Sequence, residues 1–188
     1  MVRVVGWRVA GLCLVVLAGA AGVGLLLREP RAATGAGRGS AIATASPRPA
    51  EPPGSPAVVL AEDAALHPDA ERIRAVLQRY FDGINKGDYA LWRGAVIPQW
   101  ARDIGEAAWH AQYRSTLDGG MVVHRLEPRT GGGLLALTSF TSLQNPADAP
   151  PELPVRCLRW WVSYPLVGAG EALRLAPSSA TANRLAAC

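Results

Sequence analysis

Three regimes of apolar spacing follow one another along the chain. From Val9 to Leu27 (VAGLCLVVLAGAAGVGLLL) there is no charged residue. That is close to the ~20 residues a helix needs to cross a bilayer. From Arg28 to Pro56 the apolar residues lose all periodicity among Gly, Ala, Ser and Pro (TGAGRGSAIATASPRPAEPPGSP), the composition of an extended tether with nothing to bury. From Pro68 to Tyr89 they return at helical spacing. Ile73, Val76, Leu77, Tyr80, Phe81 and Ile84 form one stripe, with Glu71, Arg72, Arg74, Arg79 and Asp82 mostly off it. Pro68 suits a first helical position and Gly87 a left-handed exit. A stripe this wide needs a sheet or other helices to cover it.

The next segments supply that cover. Asp88 is placed as the N-cap of a short helix whose apolar positions are Tyr89, Leu91, Trp92, Ala95 and Val96, with Pro98 as its stop. Asp103 is placed to cap a third helix to about Leu117, turning Ile104, Ala107, Ala108, Tyr113 and Leu117 inward, with Gly119 and Gly120 ending it. The period then changes to two. Met121–Leu126, Leu134–Leu143, Val155–Val167 and Leu173–Ala176 read as strands divided by glycine and proline turns. In Leu134–Leu143, Leu135, Leu137, Ser139, Thr141 and Leu143 share one face, and Thr138, Phe140 and Ser142 the other. In the next strand Leu158, Trp160, Val162, Tyr164 and Leu166 alternate with Cys157, Arg159, Trp161, Ser163 and Pro165. Helices followed by antiparallel strands predict an α+β fold, three helices packed in a curved sheet. The domain organisation expected is a short cytoplasmic N-terminus (1–8), a membrane signal anchor (9–27), a linker (28–66) and a folded extracytoplasmic domain (67–188).

Charge sharpens this organisation. The formal net charge is +4, but up to Pro56 six arginines face two glutamates, and from Ala57 onward basic and acidic residues are thirteen each. The whole excess lies beside the apolar run and along the tether, which argues against a nucleic-acid partner and for a membrane. Arg3 and Arg8 favour an N-terminus inside. The run exceeds the 7–15 residues usual for a signal-peptide core, which favours a retained anchor; the alternative is secretion after cleavage near Ala20. Cys13 follows Leu12, where a lipoprotein site needs a small residue. Ala, Gly, Pro and Arg dominate beside a single lysine, Lys86, as in proteins of GC-rich bacterial genomes.

The segment YFDGINKGDYALWRGAVIP (Tyr80–Pro98) resembles the first two helices of the NTF2-like superfamily, the α+β cone fold that includes SnoaL-like cyclases and ketosteroid isomerases. The carrying features are the long helix, the break at Ile84-Asn85 and Gly87-Asp88-Tyr89, and the aromatic start of the next helix. The likeness extends over about Asp69 to Cys188. It is closest in kind to actinobacterial extracytoplasmic domains with one membrane helix and a proline-rich linker, through YRSTLDGGMVVHRL, LTSFTS, CLRWWVSYPL and a final cysteine. It implies a fold more than an activity: binding of a protein partner in the envelope or of a small apolar ligand, with a homodimer open. Mce-associated and VirB8-like or TcpC-like proteins share the layout, and an isomerase-type enzyme is the alternative.

Cys157 and Cys188 are the two cysteines beyond the membrane run, and an exported domain meets an oxidising compartment. A bridge between them would pin the tail to a strand, closing a loop whose entropy contributes about 3–4 kcal/mol. His110 and His124 lack the converging ligands a metal needs, and no metal or other cofactor is expected. Asp103, Asp118, Tyr113 and His124 are the residues that isomerase chemistry would call on. Asp103 is read as a cap and Asp118 as a turn residue, so no catalytic residue is assigned. Tyr80, Trp92, Trp109, Tyr113, His124, Trp160 and Trp161 are the candidates for a pocket or interaction surface. Alternation puts Trp160 and Trp161 on opposite sheet faces. Gly131–Gly133 has no phosphate-loop context, and no Gly-x-Ser-x-Gly elbow occurs.

Overall fold

The computed structural model describes residues 53–179 and 183–188. The membrane run at 9–27 and most of the tether lie outside the described residues. Among the described residues no helix is long and apolar enough to cross a membrane. The elements are β1 (Val59–Leu60), α1 (Glu62–Ala65), α2 (Ala70–Lys86), α3 (Tyr89–Arg93), α4 (Pro98–Ile104) and α5 (Glu106–Tyr113). Then follow β2 (Leu117–Pro128), β3 (Leu134–Leu143), β4 (Cys157–Val167), β5 (Arg174–Leu175) and β6 (Arg184–Ala187).

Helix α2 forms where its stripe predicts. All six stripe residues are buried, none above 9% exposed. Its start is two residues past Pro68, in a turn where the Asp69 N–H donates to Nδ1 of His67 at 3.0 Å. Gly87 ends it in the left-handed conformation, and Asp88 caps α3, accepting from the Leu91 N–H at 2.8 Å. Gly83 lets α3 pack close to α2: a β-carbon there would stand 2.7 Å from the Trp92 backbone nitrogen. Tyr89, Trp92 and Trp109 then lock the short helices together. Tyr89 stacks on Trp92 at 5.6 Å and meets Trp109 edge-on at 5.5 Å, and its hydroxyl donates to the Ala101 carbonyl at 2.9 Å.

The short helices differ from expectation at several points. Pro98 does not stop a helix; it opens α4, where a residue without an N–H costs nothing. Asp103 is no N-cap but lies in the last turn of α4, accepting from Gln99 Nε2 at 2.6 Å. The next helix starts after Gly105, whose φ of 71° breaks the backbone. That break resets the helical phase, so α5 buries Trp109 while Ala107 and Ala108 face solvent. Leu117 leaves the helix altogether and is 45% exposed in β2.

The sheet is mixed. Its order is β1-β2-β3-β4-β5, with β6 also paired to β4. β1 runs parallel to β2 and the other pairings are antiparallel. Residues 53–66, expected as linker, are therefore partly built into the domain. Val58 and Ala64 are buried, the Ala61 N–H donates to the Val123 carbonyl at 2.8 Å, and the Gly120 N–H donates to the Ser55 carbonyl at 2.8 Å. Gly119 and Gly120 do not end a helix but lie inside β2. A β-carbon on Gly119 would come within 2.7 Å of the Gly54 carbonyl oxygen, so the glycine is what admits this segment to the sheet edge. At the other end, β6 forms from a tail with little sequence signal, and Cys157 and Cys188 are bonded with their Cα atoms 5.5 Å apart.

Candidate functional site

On β3 the face with three leucines is not the one turned inward. Ala136, Thr138, Phe140 and Ser142 are buried, whereas Leu135, Leu137 and Leu143 are only half-buried. Phe140 holds that orientation by packing edge-on to Phe81 of α2 at 5.0 Å and stacking over Trp160 of β4 at 6.1 Å. Of its two hydroxyls, Thr138 Oγ1 donates to the Ala136 carbonyl at 3.3 Å and Ser142 borders space between α2 and the sheet that is not filled. A cavity of about 550 Å³ remains there.

Each bordering element contributes to the wall. α2 gives Tyr80, Phe81 and Ile84, α4 gives Trp100, and α5 gives Tyr113. Asp118 comes from β2, Phe140 and Ser142 from β3, and Trp160, Val162 and Tyr164 from β4. Asp148, Pro150 and Pro151 of the β3–β4 loop also line it, as do Ser178 and Asn183 of the tail. The loop is held in place through Asp148, which accepts from Arg114 Nε at 2.8 Å and Ser115 Oγ at 2.6 Å. Those two bonds keep the Asp148 carboxyl below the usual carboxylate range.

Asp118 is the chemically distinctive member. It is 3% exposed, and Ser142, opposite it in the β2–β3 register, donates its hydroxyl to Asp118 Oδ1. Burial raises its pKa from 3.8 to about 7, against the lowering effect of the Ser142 bond. Its backbone is clamped by the last turn of α2: Asn85 Nδ2 donates to the Asp118 carbonyl at 2.9 Å, and Asn85 Oδ1 accepts from the Asp118 N–H at 2.7 Å. One asparagine side chain thus imitates a neighbouring strand and ties the long helix to the strand that carries the carboxyl. Tyr80, Tyr113 and Tyr164 stand within electrostatic reach of Asp118, and burial raises all three phenols. The arrangement offers a carboxyl that changes charge near neutral pH beside hydroxyls that stay protonated.

Of the candidates read from sequence, Tyr80, Tyr113 and Trp160 line the cavity. Trp92 and Trp109 do not; both are fully buried in the aromatic core between helices. His124 lies away from the cavity, exposed, its Nε2 2.7 Å from Ser139 Oγ. Trp161 is 41% exposed on the sheet face opposite Trp160, as alternation predicts. Asp103 is exposed on α4. Among the described residues no three His, Cys, Asp or Glu side chains form a group able to hold a metal ion. The residue that sequence reasoning undervalued is Asp118. The available signal was alternation: β2 starts before its glycines, and Asp118 falls on the inward face with Met121 and Val123 once the irregularity after Gly119 is allowed for.

Compared with family models, with curated proteins and with solved structures, the chain finds no match.

Proposed function

We propose that the chain is a single-pass envelope protein whose C-terminal domain, outside the membrane, binds a small, largely apolar ligand in an NTF2-like cone. The observation that carries this is the cavity of about 550 Å³, walled by Phe81, Ile84, Trp100, Phe140 and Trp160, with the buried Asp118 carboxyl and three phenols among its polar groups. An apolar pocket with a few convergent polar groups is the usual form of a small-molecule site. The long amphipathic helix against the sheet is compatible with the cone fold that the Tyr80–Pro98 resemblance implies. The bonded cysteines support an oxidising compartment, and the uncharged run at 9–27 supports the anchor. A protein partner, such as another subunit of a transport or conjugation complex, fits the exposed Trp161 face.

Titrating the full-length protein with phenylbutanol, a neutral apolar probe, tests the cavity. The alcohol is expected to quench tryptophan fluorescence and raise the melting temperature. Thr116→Trp, which places an indole at the wall, abolishes both effects while the protein still melts cooperatively. Binding undiminished in Thr116→Trp would move the site elsewhere.

A second reading is favoured by one observation, the Asp118 pKa of about 7 among neutral tyrosines. Such a pair can move a proton next to a carbonyl while a phenol donates to the enolate oxygen, the chemistry of an isomerase-type enzyme. Exchange of deuterium into a cyclic ketone, lost in Asp118→Asn, is the measurement that supports it; equal exchange by the variant removes it.

A further inference from the structure

The cavity can develop one charge that none of its described lining residues offsets. Asp118 is buried and lines it, its side-chain partner is the neutral Ser142 hydroxyl, and no lysine, arginine or histidine stands among the lining residues. The other lining carboxylate, Asp148, is already paired with Arg114. A buried carboxylate without a cation is costly, so a ligand that brings a positive charge gains more here than a neutral one. An anion is excluded on the same ground.

The surface around Asp118 favours the same sign. Tyr80 lies 5.5 Å from Tyr164 and 6.0 Å from Trp100, centroid to centroid, and Phe140 bridges Phe81 and Trp160. The Trp160 indole N–H is sealed from solvent without a partner among the described residues, which leaves ring surface as what this residue offers the cavity. Aromatic faces are electron-rich and attract ammonium groups, whether primary or fully substituted. Carboxylate and ring faces together form a cage of one electrostatic sign.

We propose that the cavity takes an organic amine, its ammonium group against Asp118 and the Tyr80 and Tyr164 rings, and its apolar body along Phe81, Phe140 and Trp160. This rests on the small-molecule reading above and narrows it to a ligand class.

Three probes that share one apolar body decide it: phenylbutylamine, phenylbutanol and phenylbutyrate, each titrated calorimetrically into the full-length protein. The amine is expected to bind about tenfold tighter than the alcohol, and the carboxylate weakest. Because the amine's advantage needs the ionised carboxyl, its affinity falls towards that of the alcohol, about tenfold in all, as pH drops below about 7, while that of the alcohol stays level. The neighbouring groups do not titrate in that window: burial holds Tyr80 on α2, Tyr113 on α5 and Tyr164 on β4 neutral, and Arg114 and Ser115 hold Asp148 ionised. Asp118→Asn is expected to erase the preference for the amine over the alcohol; should that variant fail to fold, the wild-type pH profile decides. An alcohol or carboxylate that binds as tightly as the amine, or amine binding independent of pH, overturns the amine assignment while the cavity reading stands. Failure of all three probes to bind overturns the cavity reading and the assignment with it.

Discussion

At the residue scale the protein turns on one carboxyl. Asp118 is held near neutrality by burial, and the consequence for stability has a definite sign. A carboxyl whose folded pKa lies above its unfolded value binds more protons in the folded state, so stability falls as pH rises between the two values. The contribution is complete below about pH 4 and is lost by about pH 7 to 8, the window set by the shift from 3.8 to about 7. Asp148 acts in the opposite sense, since its lowered pKa favours folding once pH exceeds the ordinary carboxylate range. Comparison with Asp118→Asn isolates the first effect. The variant is expected to gain melting temperature relative to wild type as pH goes from 4 to 7; a constant difference across that range would remove the claim that Asp118 is buried uncompensated. The residue type at 118 was visible in the chain, but its environment was not. Nothing local distinguishes an aspartate before Gly119-Gly120 that serves a turn from one that Asn85, thirty-three positions earlier, clamps inside a strand.

At the scale of elements, short-range rules succeed where a single helix or strand decides its own fate. The α2 stripe, the Gly87 exit, the Asp88 cap and the opposed faces of Trp160 and Trp161 all follow from spacing of three to four residues or of two. The rules fail between Pro98 and Gly120, where proline and glycine each admit two roles. Pro98 starts a helix, and Gly119 sits in a strand because a second segment approaches it. The tail is the opposite case: β6 has weak local preference and is held by the Leu158–Trp161 edge of β4 and the bond from Cys188 to Cys157. The cysteines are 31 positions apart, so the cross-link removes roughly 3–4 kcal/mol of unfolded-chain entropy. Cys188→Ser is expected to lower stability by about that amount in urea titrations without reductant. Adding reductant should bring wild type to the level of the variant, and wild type unaffected by reductant would show that the bond contributes nothing.

At the scale of the molecule, the domain begins earlier than composition suggests. Residues 53–66 look like the end of a Pro- and Ala-rich tether, yet β1 covers the β2 edge and Val58 and Ala64 enter the core. A chain starting at Pro53 is therefore expected to match the stability of the full-length domain, whereas one starting at His67 loses about 2–4 kcal/mol from two buried side chains and an uncovered edge. Equal denaturation midpoints for the two chains would return that segment to the linker. The amino-acid sequence by itself determined what depends on near neighbours: the α+β class, the amphipathic long helix, most strands, the uncharged run near the N-terminus and the cysteine pair. Only the tertiary structure decided which face of β3 points inward, where the core leaves space, and that a lone aspartate is buried within it. These depend on contacts between residues far apart in the chain, and a pattern of period two or 3.6 records which side chains share a face without recording what that face meets.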